Sequence, residues 1–248
     1  MITLRYSEIA QLVKCPRGFE FYLQGIKSPR NSDLVLGSAI HHTLAVYFQY
    51  QIDRGVTMPL DMLEGVFSDA WDKGVFGPED RDKDIAIRWD DPKDFLKDLG
   101  LTLLRVYHQK IAPNVIPLAV EQFFAREVNG VMLTSHTDLI SHRGIVDYKT
   151  SKRIKSQQEA DKDLQPTIHL VVTNTPDAYY EFHMLLKHKV PDAKIVVTAR
   201  TQASIKWFTE ELLPPLVKMI QAGIFPPLGI QGYLCSPDYC NYYPVCRG

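Results

Sequence analysis

EQFFAREVNGVMLTSHTDLISHRGIVDYKTS, residues 121–151, decides the fold. Three β-rich runs are separated by Asn129-Gly130 and by Ser141-His-Arg-Gly144, and Asn-Gly between such runs is the strongest short-range hairpin signal. The stretch predicts a three-stranded antiparallel meander. A two-residue loop at Asn129-Gly130 sets Val128 opposite Val131 and, counted outward, Glu121 opposite Asp138. A loop of His142-Arg143 likewise sets Asp138 opposite Asp147. Residues directly opposite share a face. Glu121, Asp138 and Asp147 therefore line up across three strands, and Lys149, two residues beyond Asp147, points the same way.

Neighbouring strands lie about 5 Å apart, and two unpaired carboxylates at that spacing repel by about 3 kcal/mol at an effective dielectric near 20. A row of three needs cations. Lys149 supplies one and a divalent metal would supply more; hard oxygen ligands favour Mg²⁺ or Mn²⁺, the ions of phosphodiester hydrolysis. An Asp-x-Lys triplet alone has little weight, because charged faces on half-exposed strands are common. The aligned set with a lysine is what points to a site.

Upstream, residues 1–112 read mainly as helix. Ser7 is a candidate N-cap for EIAQLVK, which stops at Cys15-Pro16, and RGFEFYLQGI restarts after it. Gly37 opens SAIHHTLAVYFQYQIDRG, and the doubly charged stretch 78–98 reads as a surface excursion. Phe95, Leu99, Leu103, Leu104 and Val106 then mark an apolar helical face that Pro113 ends. Downstream, a helix is expected from about Leu164 to Leu186, followed by a strand at KIVVTAR, residues 194–200. A last helix, Ser204 to Ala222, must kink or break at Pro214-Pro215. From Gly223 the chain is rich in proline, glycine and cysteine and reads as irregular. There is no internal repeat and no linker, so residues 1–248 are read as one domain: a helical part to 112, a core over 113–222 and a tail over 223–248.

Composition sets limits. With 45% hydrophobic and 23% charged residues the chain is ordinary globular protein, not a collagen, a polyelectrolyte or a disulfide-stapled miniprotein. A net charge of −1 gives no global basic field, so a nucleic-acid partner must be met by a local patch. No apolar run is long enough to span a membrane, and the N-terminus has no basic region followed by an apolar block. The expectation is an intracellular protein whose four cysteines stay reduced and serve as ligands or inert core residues.

The residues resemble the RecB-like branch of the PD-(D/E)xK nucleases, in particular its iron–sulfur members: CRISPR-adaptation nucleases, exonuclease V-type enzymes and phage-encoded relatives. The resemblance runs almost end to end. YSEIAQLVKCPRGFEF is similar to the family's opening cysteine-proline helix, and Gly37-Ser-Ala-Ile-His41 to its G-x-x-x-H motif. Asp138 matches the second motif's acid, Asp147-Tyr148-Lys149 matches (D/E)-x-K, and Glu121 sits where many relatives carry an upstream acid. Where the family has Q-x-x-x-Y, this chain has Gln165-Pro-Thr-Ile-His169, a departure at the fifth position. The resemblance implies a restriction-endonuclease-like α/β core, with a mixed central sheet flanked by helices. It also implies metal-assisted phosphodiester hydrolysis. His41, Asp138, Asp147 and the Tyr148 carbonyl would hold Mg²⁺ or Mn²⁺, with Lys149, Glu121 and Gln165 assisting catalysis.

Cys235-x4-Cys240-x5-Cys246 and the remote Cys15 fit a [4Fe–4S] cluster, which would clasp the two termini into one subregion. Tetrahedral zinc is the rival, although it usually brings paired arms from both sides, and the x4 spacing departs from the relatives' x2. Lys152, Arg153 and Lys155 follow the active strand and are the candidate DNA-backbone contacts, while Arg5, Lys14, Arg17, Lys27 and Arg30 form a second basic group. The function expected is a DNA exonuclease on single-stranded ends, in repair, recombination, phage DNA metabolism or CRISPR adaptation. It is free of the membrane, and a homo-oligomer or a recombination or adaptation partner protein is open to it. The alternative is a catalytically inactive, cluster-bearing DNA-binding or assembly protein of the same fold.

Overall fold

Asn129 and Gly130 both take left-handed backbone, φ 51° and 79°, as the tight turn with the strands' own twist requires. They join β4 (Pro117–Val128) to β5 (Val131–Ser141). Val128 pairs with Val131, Gln122 with Thr137 and Ala119 with Ile140, the register the turn predicts. His142-Arg143 then turns the chain into β6 (Gly144–Ser151), with Ser141 opposite Gly144 and Leu139 opposite Val146. This computed structural model describes residues 1–26, 30–73, 87–228, 234–237 and 239–247. Lys27 and residues 78–86 of the charged excursion lie outside the described residues.

Three further strands extend the sheet, two of them unexpected. β1 (Ile2–Arg5) runs parallel to the first residues of β5, pairing Ile2 with Val131 and Arg5 with Thr134. β1 and β6 thus occupy successive lengths of one β5 edge, leaving a fork near Asp138. β7 (Tyr179–Leu186) lies parallel to β6 along its whole length, and β8 (Asp192–Thr198) closes the sheet antiparallel to β7. The sheet is mixed, in the order β1-β5-β6-β7-β8 with β4 on the other edge of β5. A short parallel pair, β2 (Arg30–Asn31) with β3 (Ile87–Arg88), stands apart.

β7 corrects the expected helix over Leu164–Leu186. The helix there ends at Thr173, where Asn174 takes left-handed backbone (φ 59°) and caps it. The next run, YYEFHMLL, is buried on both faces as a strand inside a parallel pair must be. Burial on both faces removes the alternation that marks a half-exposed strand, and the run is then hard to tell from a buried helix.

Helices cover both faces. α3 (Ser32–Arg54), α4 (Leu60–Lys73) and α5 (Lys93–Lys110) pack through Leu36, Ile40, Leu44, Phe67 and Leu103 against Leu139, Val146 and Tyr148. α1 (Tyr6–Lys14), α2 (Pro16–Leu23) and α7 (Leu164–Thr173) form a second core with Val131 and Leu133. α6 (Gln157–Lys162) lies beside α7, and its Ala160 joins Ile145 and Phe182 in a third. α3 begins at Ser32 rather than Gly37, because the Asn31 side chain accepts from the Leu34 N–H and caps it. α1 begins at Tyr6, with Arg5 rather than Ser7 at its N-cap, since residues 2–5 are already committed to the sheet. In α5 the buried face is Leu96, Gly100, Leu103, Leu104 and Tyr107, and Phe95 is 56% exposed. The last helical run breaks as expected: α8 (Gln202–Lys206), a π-helical stretch over Trp207–Leu212, then α9 (Leu213–Gln221) with Pro214-Pro215 in its first turn. α10 (Tyr243–Arg247) adds one short helical element to the tail. Among the described residues no helix is long and apolar enough to cross a membrane.

Candidate active site

The fork in the sheet is where the acidic residues gather. β5 and β6 pair only as far as Leu139 and Val146, so Asp138 and Asp147, next in register, do not stand as a cross-strand pair. Asp138 turns its carboxylate onto β6 instead: Oδ2 accepts from the Tyr148 N–H at 2.9 Å. Its Oδ1 lies 3.3 Å from Nδ1 of His41, presented by α3. The other imidazole nitrogen, Nε2, is 2.8 Å from the Tyr148 carbonyl oxygen. His41 therefore bridges two of the three groups expected to hold a metal with it. Burial opposes charging His41, but Asp138 outweighs it and lifts the imidazole from 6.5 to about 9. Asp138 is in turn held below its usual range, His41 overcoming the cost of burial.

Asp147 is 5% exposed. Its Oδ2 pairs with the Lys149 ammonium at 2.8 Å. Oδ1 accepts from the Gln165 amide of α7 at 2.6 Å. Burial lowers the Lys149 ammonium and Asp147 more than restores it, so the lysine stays charged. Gln165 reaches the site even though Pro166 follows it, because it lies in the first turn of α7, where proline costs no helical hydrogen bond. Asp163 caps that turn by accepting from the Gln165 N–H at 2.9 Å.

Glu121 departs from the expected alignment. It breaks the β4 ladder, with left-handed backbone at φ 49°, and its carboxylate pairs with His136 Nδ1 at 3.3 Å. Burial and the nearby Asp138 raise Glu121 above the usual carboxylate range. His136 was not anticipated, although it lies two residues before Asp138 on the same strand. Tyr6 of α1 was also missed; its ring meets His169 edge-on at 6.3 Å, and burial with Asp163 pushes its hydroxyl to about 12. Nothing local signals Tyr6, because β1 brings it there by a long-range parallel pairing. His169 is buried against Tyr180, and burial lowers it.

The basic residues after β6 are largely spoken for. Arg153 forks onto Glu159 at 2.8 and 2.5 Å, and Lys155 pairs with Asp163 at 2.7 Å. Lys152 is exposed. None of the four cysteines is in a disulfide. The tail does return to the N-terminal helices: the Leu228 N–H points at Cys15 Sγ at 3.4 Å, and Tyr242 packs on Phe21 with centroids 5.6 Å apart. Among the described residues, however, no three His, Cys, Asp or Glu side chains stand close enough to hold a metal ion.

A model of the PD-(D/E)XK nuclease superfamily matches residues 3–247, nearly the whole chain. The chain belongs to the PD-(D/E)XK nuclease superfamily. A solved structure from Eubacterium rectale, named “Putative exonuclease”, superimposes with a TM-score of 0.62 at 14% identity, covering 99% of this chain and 88% of that one. At that identity the likeness speaks for the fold. SSO0001 aligns with a TM-score of 0.37 at 14% identity over 93% of this chain and 92% of its own. No curated protein matches.

Members of this superfamily generally use Mg²⁺ or Mn²⁺, and the donor set at the fork suits such an ion. Two carboxylates and a carbonyl are hard oxygen ligands, and an imidazole adds a nitrogen that Mn²⁺ accepts well. Asp147 is a buried carboxylate whose Oδ2 meets one cation, the Lys149 ammonium, at 2.8 Å. The set is not closed around a centre, since Asp138 is held by Tyr148 and His41 while Asp147 is held by Gln165 and Lys149.

Proposed function

We propose that this PD-(D/E)XK protein is an intracellular, Mg²⁺- or Mn²⁺-dependent DNA nuclease, acting as an exonuclease on single-stranded ends. Its settings would be repair, recombination, phage DNA metabolism or CRISPR adaptation. The observation that carries this reading is Asp147, a buried carboxylate flanked by Lys149 and Gln165 next to the Asp138–His41 pair. His41, Asp138, Asp147 and the Tyr148 carbonyl would hold the ion. When bound, the ion supplies a more acidic water and polarises the phosphoryl oxygen. Lys149 is placed to position the attacking water or to neutralise charge on the phosphate. Gln165 fixes the rotamer of Asp147, and Asp138 holds β6 at Tyr148 across the fork. Glu121 adds negative charge on the same side and is a further assisting acid. Lys152, with Arg153 and Lys155 held in place by their carboxylate partners, would track the DNA backbone.

We further propose that residues 1–248 act as one nuclease domain whose tail is clasped to Cys15 by a [4Fe–4S] cluster through Cys235, Cys240 and Cys246. Return of the tail onto α2 supports this reading; forming the cluster would require the thiols to draw together. Iron, sulfide and zinc quantification of anaerobically purified protein tests it, beside Cys240→Ala. Iron lost together with solubility supports the clasp, and zinc or no metal rejects it.

The nuclease reading is tested by degradation of end-labelled single-stranded DNA with Mg²⁺ or Mn²⁺, beside Asp147→Ala and Lys149→Ala. Metal-dependent cleavage abolished in both variants supports the assignment, and the label position gives polarity. Cleavage that survives in both rejects it.

A further inference from the structure

α3 carries a second apolar strip, half-buried, beside its core face. Ile40, Leu44, Tyr47 and Phe48 face the core, while Ala45, Val46 and Tyr50 recur at helical spacing on an adjoining face and line an open groove of about 560 Å³. Met62 and Val66 of α4 form its opposite wall, and Val120 and Glu121 of β4 close one end. Met62 is 45% exposed, so this apolar wall faces solvent.

The groove borders the candidate active site at Glu121. Glu121 belongs to both: it lines the groove and bears electrostatically on Asp138 and His41. His41 faces Asp138 while the next residue, His42, lines the groove. The junction falls on Glu121, whose left-handed backbone is unusual for a non-glycine residue and costs energy that only its surroundings can sustain. Such strain concentrates where a side chain must be aimed at a ligand.

Charge decides what enters. Asp53 and Glu121 face the groove against a single arginine, Arg54, which disfavours a phosphate within it. An apolar floor with an aromatic ring and a few polar groups at the rim, Gln49 and His42 among them, suits an uncharged, planar, hydrogen-bonding group. On a strand whose phosphate lies at Asp147 and Lys149, that group is a base.

We propose that the groove between α3, α4 and β4 receives an unpaired nucleobase of the substrate strand next to the scissile phosphate. This rests on the nuclease reading above and narrows it. A base enters only when it is unstacked, so the groove selects single-stranded or frayed ends over closed duplex.

The test is binding, not turnover. Fluorescein-labelled single-stranded oligonucleotides are titrated in Ca²⁺, with an abasic residue scanned through the last positions of each end. In the wild type, one abasic position weakens binding about tenfold or more, the loss expected when a base gives up a stacking pocket. Val46→Trp fills the groove and removes that difference. Met62→Glu, at an exposed position, does so without burdening the core. Equal affinity for intact and abasic strands in the wild type overturns the proposal, as does an undiminished difference in folded Met62→Glu. Position-dependent binding with no cleavage in Mg²⁺ or Mn²⁺ supports the groove and rejects the nuclease reading instead.

Discussion

Gln165 donates its side-chain amide to Asp147 Oδ1 at 2.6 Å, linking the first turn of α7 to the middle of β6. With the Lys149 ammonium on Oδ2 at 2.8 Å, it fixes which way this buried carboxylate faces. A hydrogen bond to a charged group is worth about 1.5–3 kcal/mol. Gln165→Ala should therefore lower metal-dependent cleavage roughly ten- to a hundredfold, mainly in kcat, with little change in DNA affinity. An unchanged kcat with normal folding would remove Gln165 from the site.

His41 makes stability depend on pH when metal is absent. Its folded value, lifted to about 9 from 6.5, favours the protonated form held between Asp138 and Tyr148. The stabilisation is fully present below about pH 6.5 and is lost as pH rises through about 9. At about 1.4 kcal/mol for each unit, the contribution is at most about 3 kcal/mol. In EDTA, the wild type should lose about 5–10 °C of Tm relative to His41→Gln between pH 6 and pH 9.5. Parallel profiles for the two proteins would show that His41 is not charged in the fold.

Both hairpin registers were legible because they are local: Asn129-Gly130 and His142-Arg143 each count their strands outward from a turn. The meeting of Asp138 with Asp147 was legible in place but not in form. Strict pairing would set the two carboxylates opposite each other, and the strands diverge just before that point, after Leu139 and Val146. β1 and β7 were not legible for a different reason. Their partners are parallel strands distant in sequence, so no turn announces them, and burial of both β7 faces erases its alternation. Tyr6 was missed with β1, since it arrives at the site only because β1 pairs. His136 was within reach, lying one alternation before Asp138.

Gly144 opens β6 at φ 148°, where an added Cβ would run into the Tyr179 carbonyl of the parallel partner strand. That neighbour is backbone and cannot swing aside. Gly144→Ala should cost about 2–4 kcal/mol and lower Tm by about 5–15 °C. Gly65 is the internal control: it sits within α4 with nothing near a would-be Cβ. Gly65→Ala should raise stability by about 0.5–1 kcal/mol. A harmless Gly144→Ala in thermal melts would mean that β6 and β7 do not approach as closely as described.

Arg200 is 8% exposed and carries its charge to backbone and hydroxyl oxygens rather than to a carboxylate. Its guanidinium reaches Thr167 Oγ1 of α7 at 2.7 Å, Thr198 Oγ1 at 2.7 Å, and the carbonyls of Ala160 and Asp163 at 3.1 and 2.5 Å. Three of these oxygens, on Ala160, Asp163 and Thr167, lie where α6 ends and α7 begins, so one side chain sets the turn from which Gln165 reaches Asp147. A lysine has neither the planar fork nor enough donors to span them. Arg200→Lys should lower stability by about 2–4 kcal/mol and, at temperatures where the variant is folded, reduce kcat toward the Gln165→Ala level. If Arg200 acts through Gln165, the double variant should be no slower than the slower single one, because removing the amide leaves nothing further to misplace. Multiplicative losses in kcat would separate the two residues and make Arg200 a contributor to folding alone.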